Sequence, residues 1–297
     1  MQTAFKFDEH KLNTSTDTVK PYKTQLLKWI GNKQRFAHEI ISFFPKEFNT
    51  YFEPFLGSGA VLATLAPERG EGSDCFEPLV GIWKALSNEP ELLKKWYHER
   101  WNELNNGEKK EQYEKIKARY NQQSNAADLL ILSRTAYGGV MRFRMRDGYM
   151  STPCGVHKPM HFGTFNRRVD EWHNRTKGTE FFHREYEESL DRAREGDVVY
   201  CDPPYTHSQA ILYGAQKFSQ DDLFHCIEKA KKRGVFVALS LDGSKKSGKE
   251  DCPYSFPKSL FKREVTVNCG KSMLRRFQMS GQTLIDEQVK DRLLLTH

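Results

Sequence analysis

The sequence lacks the long apolar segments and the paired cysteines that mark membrane-spanning and metal-rich proteins. It has no run of about 18 or more apolar residues, and its most apolar run, 235–241, has the length of a buried strand. The 6 cysteines include no C-x-x-C pair, which argues against a zinc ribbon, an iron–sulfur site and a disulfide-stapled secreted fold. Residues 1–20 are polar and contain no apolar signal-peptide core, so we expect a flexible leader there, a cytoplasmic protein and no membrane contact.

Positive charge is what the sequence has in excess. Hydrophobic residues make up 38% and aromatic residues 12% of the chain, which is enough for a folded core, and the formal net charge is +7 at pH 7. The segment 134–184 holds 10 Lys or Arg residues against 4 acidic ones, together with 8 aromatic residues. Basic side chains mixed with aromatic ones favour phosphate contacts and base stacking. The alternative interpretation is a basic surface that contacts only solvent. The composition therefore indicates nucleic acid as the first candidate partner.

Alternating strand and helix signals near both ends of the chain predict an α/β domain that is interrupted by an insertion. Strand 50–53, helix 60–65 and strand 72–76 form a β-α-β unit, and the alternation resumes at 188 with a helix to 194 and the strand 197–201. Three helical stretches and a weakly periodic basic segment lie between. We therefore predict an inserted, largely helical or irregular domain over 86–185, within an α/β domain over 21–85 and 186–297.

The helix signals differ in clarity along the chain. Helices are predicted over 126–135 and 220–232. Apolar residues at helical spacing over 24–44 predict two helices separated by a glycine. From 138 to 178 the periodicity is weak and glycine and proline recur, which predicts irregular structure.

A glycine turn follows strand 50–53. Gly57 and Gly59 flank Ser58, and a G-x-G turn at a strand end lets the backbone approach a ligand where a Cβ would clash. The third glycine of a dinucleotide-binding fingerprint and the G-K-[ST] sequence of a phosphate-binding loop are both absent. Taken alone, the segment is therefore more typical of an ordinary turn than of a ligand site. Asp74 ends the next strand, where a carboxylate can cap a helix or accept hydrogen bonds from a ribose. Together the turn and the acid indicate an adenosine-like cofactor.

A second motif, Asp202-Pro203-Pro204-Tyr205, comes directly after the apolar strand 198–201. The two prolines fix φ and remove two N–H donors, so carbonyl groups stay available as acceptors. Asp202 and the Pro203 carbonyl can each accept one N–H of an exocyclic amine, and Tyr205 can stack on the ring that bears it. A rigid turn with Asp202 as a cap is the structural alternative. We expect a site for a flat, amine-bearing ring at this strand end.

A third motif, 28–33, places Lys28, Trp29 and Lys33 upstream of the glycine turn. A lysine can pair with a cofactor carboxylate, and a tryptophan can supply an apolar wall. Taken alone, this segment is typical of a helix end with a glycine break.

In this order the motifs resemble those of the DNA adenine-N6 methyltransferases of the Dam type, over roughly 24–296 of the chain. The resemblance implies a Rossmann-like methyltransferase sheet, S-adenosylmethionine as the cofactor, and methyl transfer to the N6 amine of an adenine flipped out of double-stranded DNA. It implies that the catalytic residues holding the target adenine are Asp202, Pro203, Pro204 and Tyr205. It implies cofactor contacts from a larger set, namely Trp29, Lys33, Phe55, Gly57, Ser58, Gly59, Asp74, Glu185, Tyr186 and Asp202.

In that family the region between the cofactor motif and the catalytic motif reads the target DNA, a role that falls here to 86–185. The Arg142-Phe143 pair is similar to the start of its recognition region, although Arg144 stands where asparagine is usual. Asp202 stands where cytosine-N4 relatives carry serine, which favours adenine. DNA contacts are then expected from the basic residues of the insertion, namely Arg134, Arg142, Arg144, Arg146, Lys158, Arg167 and Arg168.

We expect double-stranded DNA as the partner, no metal, and a monomer that serves restriction–modification or acts as an orphan or phage enzyme. In a restriction–modification system, a cognate endonuclease would act on the same site without a stable complex. Two alternatives remain open from the sequence. One is amino-methylation of cytosine N4 or of RNA, and the other is a non-catalytic DNA-binding protein on the same scaffold.

Overall fold

The computed structural model describes residues 14–16, 19–144, 146–204, 218–242, 244–245, 250–251, 257, 259–271 and 288–297. The strands are β1 (Thr14–Ser15), β2 (Glu47–Phe48), β3 (Tyr51–Glu53), β4 (Gly70–Asp74), β5 (Thr179–His183), β6 (Val198–Cys201), β7 (Phe236–Asp242), β8 (Ser244–Lys245), β9 (Glu250–Asp251), β10 (Arg263–Lys271) and β11 (Gln288–Leu295). The α-helices are α1 (Ala37–Ile41), α2 (Ala60–Leu65), α3 (Glu77–Asn88), α4 (Pro90–Asn105), α5 (Lys109–Gln122), α6 (Ala126–Thr135), α7 (Phe162–Arg175), α8 (Tyr186–Arg192) and α9 (Gln220–Lys232). None of the helices described combines the length and the apolar character needed to cross a bilayer.

The fold is built on a mixed sheet whose hydrogen-bonded neighbours follow the order β10-β11-β7-β6-β3-β4-β5. Its strands from β7 to β5 run parallel, and β11 is antiparallel to both β7 and β10. From β3 the chain moves outward to β4 and β5, and it then returns to the other side of β3 at β6. Such a reversal of strand order leaves a crevice at the carboxyl ends of the two central strands, where ligands bind in open α/β sheets. The predicted α/β class with a Rossmann-like sheet is confirmed.

The central strands are buried on both faces, which explains why β6 is apolar throughout its length. Its side chains alternate between two core clusters, because Val198 and Tyr200 belong to one cluster and Val199 and Cys201 to the other. The first cluster continues into the helices of the insertion, whereas α8 and α9 cover the second. The sheet is thereby held between two layers, and its carboxyl edge is left for a site.

Helices α4, α5 and α6 pack around a single buried carboxylate. Asp128 of α6 is fully buried, and its Oδ1 accepts hydrogen bonds from Arg100 of α4 at 3.1 Å and from Arg119 of α5 at 2.7 Å. The Asn125 side chain caps α6 by accepting a hydrogen bond from the Asp128 N–H. A buried carboxylate with arginine partners from two other helices fixes how the three helices meet, because its charge is compensated only where α4 and α5 bring their guanidinium groups to it.

The helices predicted over 60–65, 126–135 and 220–232 are confirmed at both ends. The prediction of helices over 24–44 is wrong for 24–36, where the chain forms bends, turns and irregular segments before the short α1. Gly31 has a φ of 75°, and the Asn32 side chain accepts a hydrogen bond from the Gln34 N–H at 2.7 Å. This local turn competes with a helix, while the apolar residues of the segment are buried against the core without one.

The prediction of irregular structure over 138–178 is wrong for α7. Its buried residues Phe165, Val169 and Trp172 recur at helical spacing, a pattern that the surrounding basic residues obscure. Strand β5 follows at the edge of the sheet and was not predicted. Because β5 lies inside 86–185, the sheet extends into the segment that the sequence assigns to the insertion.

Candidate active site

A cavity of about 290 Å³ lies at the carboxyl ends of β3, β4 and β6, where the strand order reverses. Most of the residues that the sequence motifs single out line this cavity, although they come from distant parts of the chain. They are Trp29, Lys33, Phe55, Gly57, Ser58, Asp74, Glu185, Tyr186, Asp202, Pro203 and Pro204. Gly59 is not in the cavity wall but precedes α2 as its capping residue. Tyr205 lies outside the described residues.

The turn beside β3 depends on both of its glycines. Gly57 and Gly59 have φ values of +45° and +60°, in the left-handed region that side chains rarely adopt. A Cβ on Gly57 would also lie 3.3 Å from the Trp29 indole, so the ring and the turn approach each other closely. The Gly57 N–H donates to Asp74 Oδ2 at 3.0 Å, and the Trp83 indole N–H donates to the Gly57 carbonyl at 3.1 Å. Gly57 therefore contributes backbone, held in one position, to the cavity wall.

Asp74 links the ends of β3 and β4. It is buried, and its carboxylate accepts the backbone N–H groups of Gly57 and Phe76, both at 3.0 Å. Burial raises the pKa of Asp74 to about 6, although these hydrogen bonds act in the opposite direction. The group is therefore mostly ionised at neutral pH, and it lines the cavity as an acceptor that can serve the hydroxyl groups of a ribose.

Aromatic rings provide flat apolar surfaces around the cavity. Phe55 and Tyr186 are stacked with ring centroids 5.1 Å apart, and Phe218 meets Phe55 edge-on at 5.9 Å. Such surfaces suit a planar ring such as adenine. Phe218 was not predicted as a site residue, because its sequence neighbourhood carries no motif and only the folded chain brings it to the cavity.

Lys33 joins three parts of the chain at the edge of the cavity. Its ammonium lies 3.1 Å from Asp202 Oδ1, directly after β6, and 3.0 Å from Asp291 Oδ2 in β11. Burial would lower the pKa of Lys33, but the carboxylates of Asp202 and Asp291 outweigh it and hold that pKa well above its usual value. Sequence reasoning paired Lys33 with a cofactor carboxylate, whereas in the structure it is paired with protein carboxylates. Asp291 carries no local signal, and only the pairing of β11 with β7 brings it here.

Glu53 is a second buried acid that sequence reasoning left without a role. It ends β3, and its Oε2 accepts hydrogen bonds from the Tyr51 hydroxyl at 2.6 Å and from the Leu62 N–H at 2.9 Å. Burial raises the pKa of Glu53 to about 8, and the charge of Asp202 adds to this effect. At neutral pH Glu53 is therefore mostly protonated, so it does not add a full negative charge beside Asp202.

A hairpin-like loop carries three of the predicted DNA-contacting arginines. Its two sides pair through Ser151 N–H to Arg142 O at 2.9 Å and Arg144 N–H to Tyr149 O at 3.0 Å. Arg142 and Arg146 are exposed, while the Arg144 guanidinium stacks 4.0 Å from the Tyr149 ring. Arg142 and Arg146 can thus reach a ligand in solution.

This loop packs beside the wall of the cavity. The Phe143 ring lies 5.5 Å from the Phe76 ring, which in turn lies 6.5 Å from Trp29 in the cavity wall. The loop that carries the arginines therefore packs, through Phe143 and Phe76, against the part of the cavity wall that Trp29 forms.

The other predicted DNA-contacting residues differ in their surroundings. Lys158 and Arg167 are exposed. Arg134 is only 7% exposed, and its guanidinium donates to the Leu26 carbonyl. Arg168 donates to the Gln25 carbonyl and is half-buried. The buried Arg134 and the half-buried Arg168 thus tie α6 and α7 to the segment before α1.

Comparison with known proteins gives a family match over most of the chain. A model of the family described as D12 class N6 adenine-specific DNA methyltransferase matches residues 29–263. A DNA adenine methylase of Vibrio cholerae is 30% identical over 228 residues, which cover 72% of this chain and 79% of that protein. The type II methyltransferase M1.LlaDCHI of Lactococcus lactis is 26% identical, with 73% of this chain and 80% of that protein covered. A DNA N-6-adenine-methyltransferase of Escherichia phage P1 is 26% identical, with 78% of this chain but 32% of that protein covered.

Proposed function

The chain belongs to the D12 class of N6 adenine-specific DNA methyltransferases, and we propose that it methylates the N6 amine of an adenine flipped out of double-stranded DNA, with S-adenosylmethionine as the methyl donor. The observation that carries this proposal is the position of Asp202. It shares one cavity with the glycine turn and Asp74, so an amine-binding group and a nucleoside-binding wall face the same space.

The residues around the cavity fit the proposed cofactor. Asp74 supplies an acceptor for ribose hydroxyls at the end of β4, and Gly57 lets the backbone approach closely. Phe55 and Tyr186 offer a flat apolar surface for an adenine ring, with Glu185 beside them in the wall. When bound there, S-adenosylmethionine supplies an electrophilic methyl group.

Asp202 and Pro203 are the groups that we assign to the target amine. The Asp202 carboxylate and the Pro203 carbonyl each accept one N–H, which orients the N6 lone pair and favours the positive charge that develops on nitrogen. Pro204 stiffens this segment because its φ is fixed. Tyr205, which we propose to stack on the flipped base, belongs to the same motif.

The exposed basic residues support DNA as the substrate. An adenine amine is inaccessible inside a duplex, so the base has to leave the stack, and a protein that extrudes it needs contacts to the flanking backbone. We assign such contacts to Arg142, Arg146, Lys158 and Arg167, which are exposed on the segment 86–185. This segment, apart from the sheet strand β5, is then the DNA-recognition insertion, and 21–85 with 186–297 and β5 form the catalytic domain.

We further propose that the protein acts as a monomer, because one flipped base needs one cavity. We place its activity in the cytoplasm, because that is where it would meet its proposed substrate, DNA. The relatives include a type II methyltransferase and a phage enzyme, which supports a role in restriction–modification, with a separate endonuclease of the same specificity, or an orphan or phage role.

Nucleoside analysis tests the proposed reaction. Duplex DNA is treated with the protein and a methyl-labelled cofactor, digested to nucleosides, and examined by mass spectrometry. The label is expected in N6-methyldeoxyadenosine. Label in N4-methyldeoxycytidine, or in RNA supplied as a competing substrate, would support the alternative amino-methyltransferases, which the family match does not favour. The absence of both label transfer and cofactor binding would support a non-catalytic DNA-binding protein.

A further inference from the structure

Three charged side chains from separate elements meet in the interior next to the cavity. Lys33 precedes α1, Asp202 follows β6, and Asp291 lies in β11. The Lys33 ammonium contacts one carboxylate oxygen of each acid, at 3.1 Å and 3.0 Å. Lys33 and Asp291 are 4% and 5% exposed, so bulk water does not screen the contact between them.

Such a cluster is a poor device for stability alone. Desolvation of two carboxylates and one ammonium is unfavourable, and apolar residues of similar volume often stabilise a core equally well. Asp291 therefore needs a reason beyond holding the sheet together. The neighbouring Arg292 supplies a comparison within the same strand, because it pairs with Glu264 at 2.7 Å in an ordinary surface contact.

The charge balance around Asp202 supplies that reason. If Lys33 faced Asp202 alone, the pair would be neutral, and the ammonium would compete with an incoming amine for the carboxylate. With Asp291 on the other side, Lys33 is shared and the three groups carry one net negative charge. Methylation makes the target nitrogen positive until it loses a proton, and a net negative environment that is already in place favours that change.

We infer that Asp291 is a positioning residue for methyl transfer: it draws the Lys33 ammonium into a shared contact, so that the ammonium does not neutralise Asp202 alone and the Asp202 carboxylate stays available to the target amine. Asp291 acts through Lys33 and is not assigned a contact with the substrate. The inference rests on the proposed function, because Asp202 is the group that receives the amine.

Asp291→Asn tests the inference, because it keeps the shape of the side chain and removes its charge. Transfer is measured in a single turnover with saturating cofactor and DNA, and the affinities for both are measured separately. We expect the transfer rate to fall by about 10- to 100-fold, with both affinities within about twofold of the wild type. Glu264→Gln is the matched control, since it removes a carboxylate from the adjacent strand β10, and its transfer rate should stay within about twofold of the wild type.

A second comparison shows whether Asp291 acts through Lys33. In a Lys33→Met background the further change Asp291→Asn should alter the transfer rate by less than about threefold, because the shared ammonium is already gone. This pair also serves if Asp291→Asn alone melts too low for kinetics. Equal losses from Asp291→Asn in both backgrounds would overturn the inference.

A readout without substrate is the ζ-ammonium signal of Lys33 in protein labelled with ¹⁵N-lysine, assigned by its loss in Lys33→Met. The signal should be visible through slow exchange with water in the wild type and should broaden in Asp291→Asn. An unchanged signal together with an unchanged transfer rate overturns the inference, as does a loss of affinity without a loss of rate. If the wild type transfers no methyl group to adenine, it is the proposed function that fails, and the lysine signal still reports the contact.

Discussion

The ammonium nitrogen of Lys33 lies 3.1 Å from a carboxylate oxygen of Asp202, which joins the N-terminal motif to the D-P-P-Y motif in a single ion pair. The same cavity takes in the glycine turn and Asp74. Motifs that are far apart in the chain thus form one site because the strand order reverses between β3 and β6. The chemical roles assigned to these residues lead to the following predictions.

Asp74→Asn should weaken cofactor binding. We expect a loss of roughly 10- to 100-fold in affinity, which corresponds to about 1.4–2.8 kcal/mol for a charged hydrogen-bond acceptor in a buried wall. Calorimetric titration of the protein with S-adenosylmethionine measures the effect, and DNA affinity should change much less.

Asp197→Asn is the control for this change. Asp197 also accepts two backbone N–H groups, from Thr50 at 3.0 Å and Arg194 at 2.8 Å, but it precedes β6 and does not line the cavity. It should lower the melting temperature and leave cofactor affinity unaltered. Equal losses of affinity in both variants would mean that Asp74 acts only through the fold.

Arg142→Ala combined with Arg146→Ala should weaken DNA binding and reduce its salt dependence. The slope of log affinity against log salt concentration is negative, and the loss of two phosphate contacts reduces its magnitude by about 1.8. Fluorescence anisotropy with a labelled duplex at several salt concentrations measures the slope. The control removes two exposed charges from α9, with Lys229→Ala and Lys232→Ala, and should leave the slope unchanged. A loss of affinity at constant slope would contradict a phosphate role for the two arginines.

Glu53→Gln should flatten the pH dependence of stability. Burial raises the pKa of Glu53 from its ordinary 4.5 to about 8. The folded state thus favours the protonated form, and this stabilisation is complete below about pH 4.5 and is lost as the pH rises to about 8. Thermal unfolding across that range should show the wild type losing more stability with rising pH than the variant.

Glu71→Gln gives the opposite sign and serves as the comparison. Burial alone would raise the pKa of Glu71, but Arg192 and Arg184 outweigh it and hold that pKa below its usual value. Its contribution is present above the ordinary pKa and lost as the pH falls. Glu71→Gln should therefore be more harmful at pH 7 than in acid. Parallel unfolding curves for Glu53→Gln and the wild type across the whole range would contradict the burial argument.

The sequence predicted more of the residues that line the cavity than of the secondary structure that surrounds it. Gly57, Asp74 and Asp202 could be placed because each lies at, or within a few residues after, the end of a strand, and the carboxyl ends of parallel strands meet at one edge of a sheet. Glu53 lies just before the glycine turn in the sequence, but its raised pKa depends on burial, which only the packed structure supplies.

Other features could not be predicted because they depend on contacts between distant elements. Asp291 reaches Lys33 only through the pairing of β11 with β7. Arg134 belongs to the basic segment from which DNA contacts are predicted, yet in the packed structure its guanidinium donates to the Leu26 carbonyl. The apolar spacing over 24–36 predicts a helix, but burial against the core satisfies those residues in another conformation. The spacing of apolar residues thus indicates which residues are buried, whereas tertiary packing determines the backbone conformation in which they are buried.

The measurement that tests the central claim most directly is methyl transfer by Asp202→Ala on duplex DNA, followed by mass spectrometry of the digested nucleosides. We expect N6-methyldeoxyadenosine to fall by at least about 10²-fold relative to the wild type, while the affinity for DNA stays within a few-fold. Formation of N6-methyldeoxyadenosine by this variant at the wild-type rate would contradict the assignment of the target amine to Asp202.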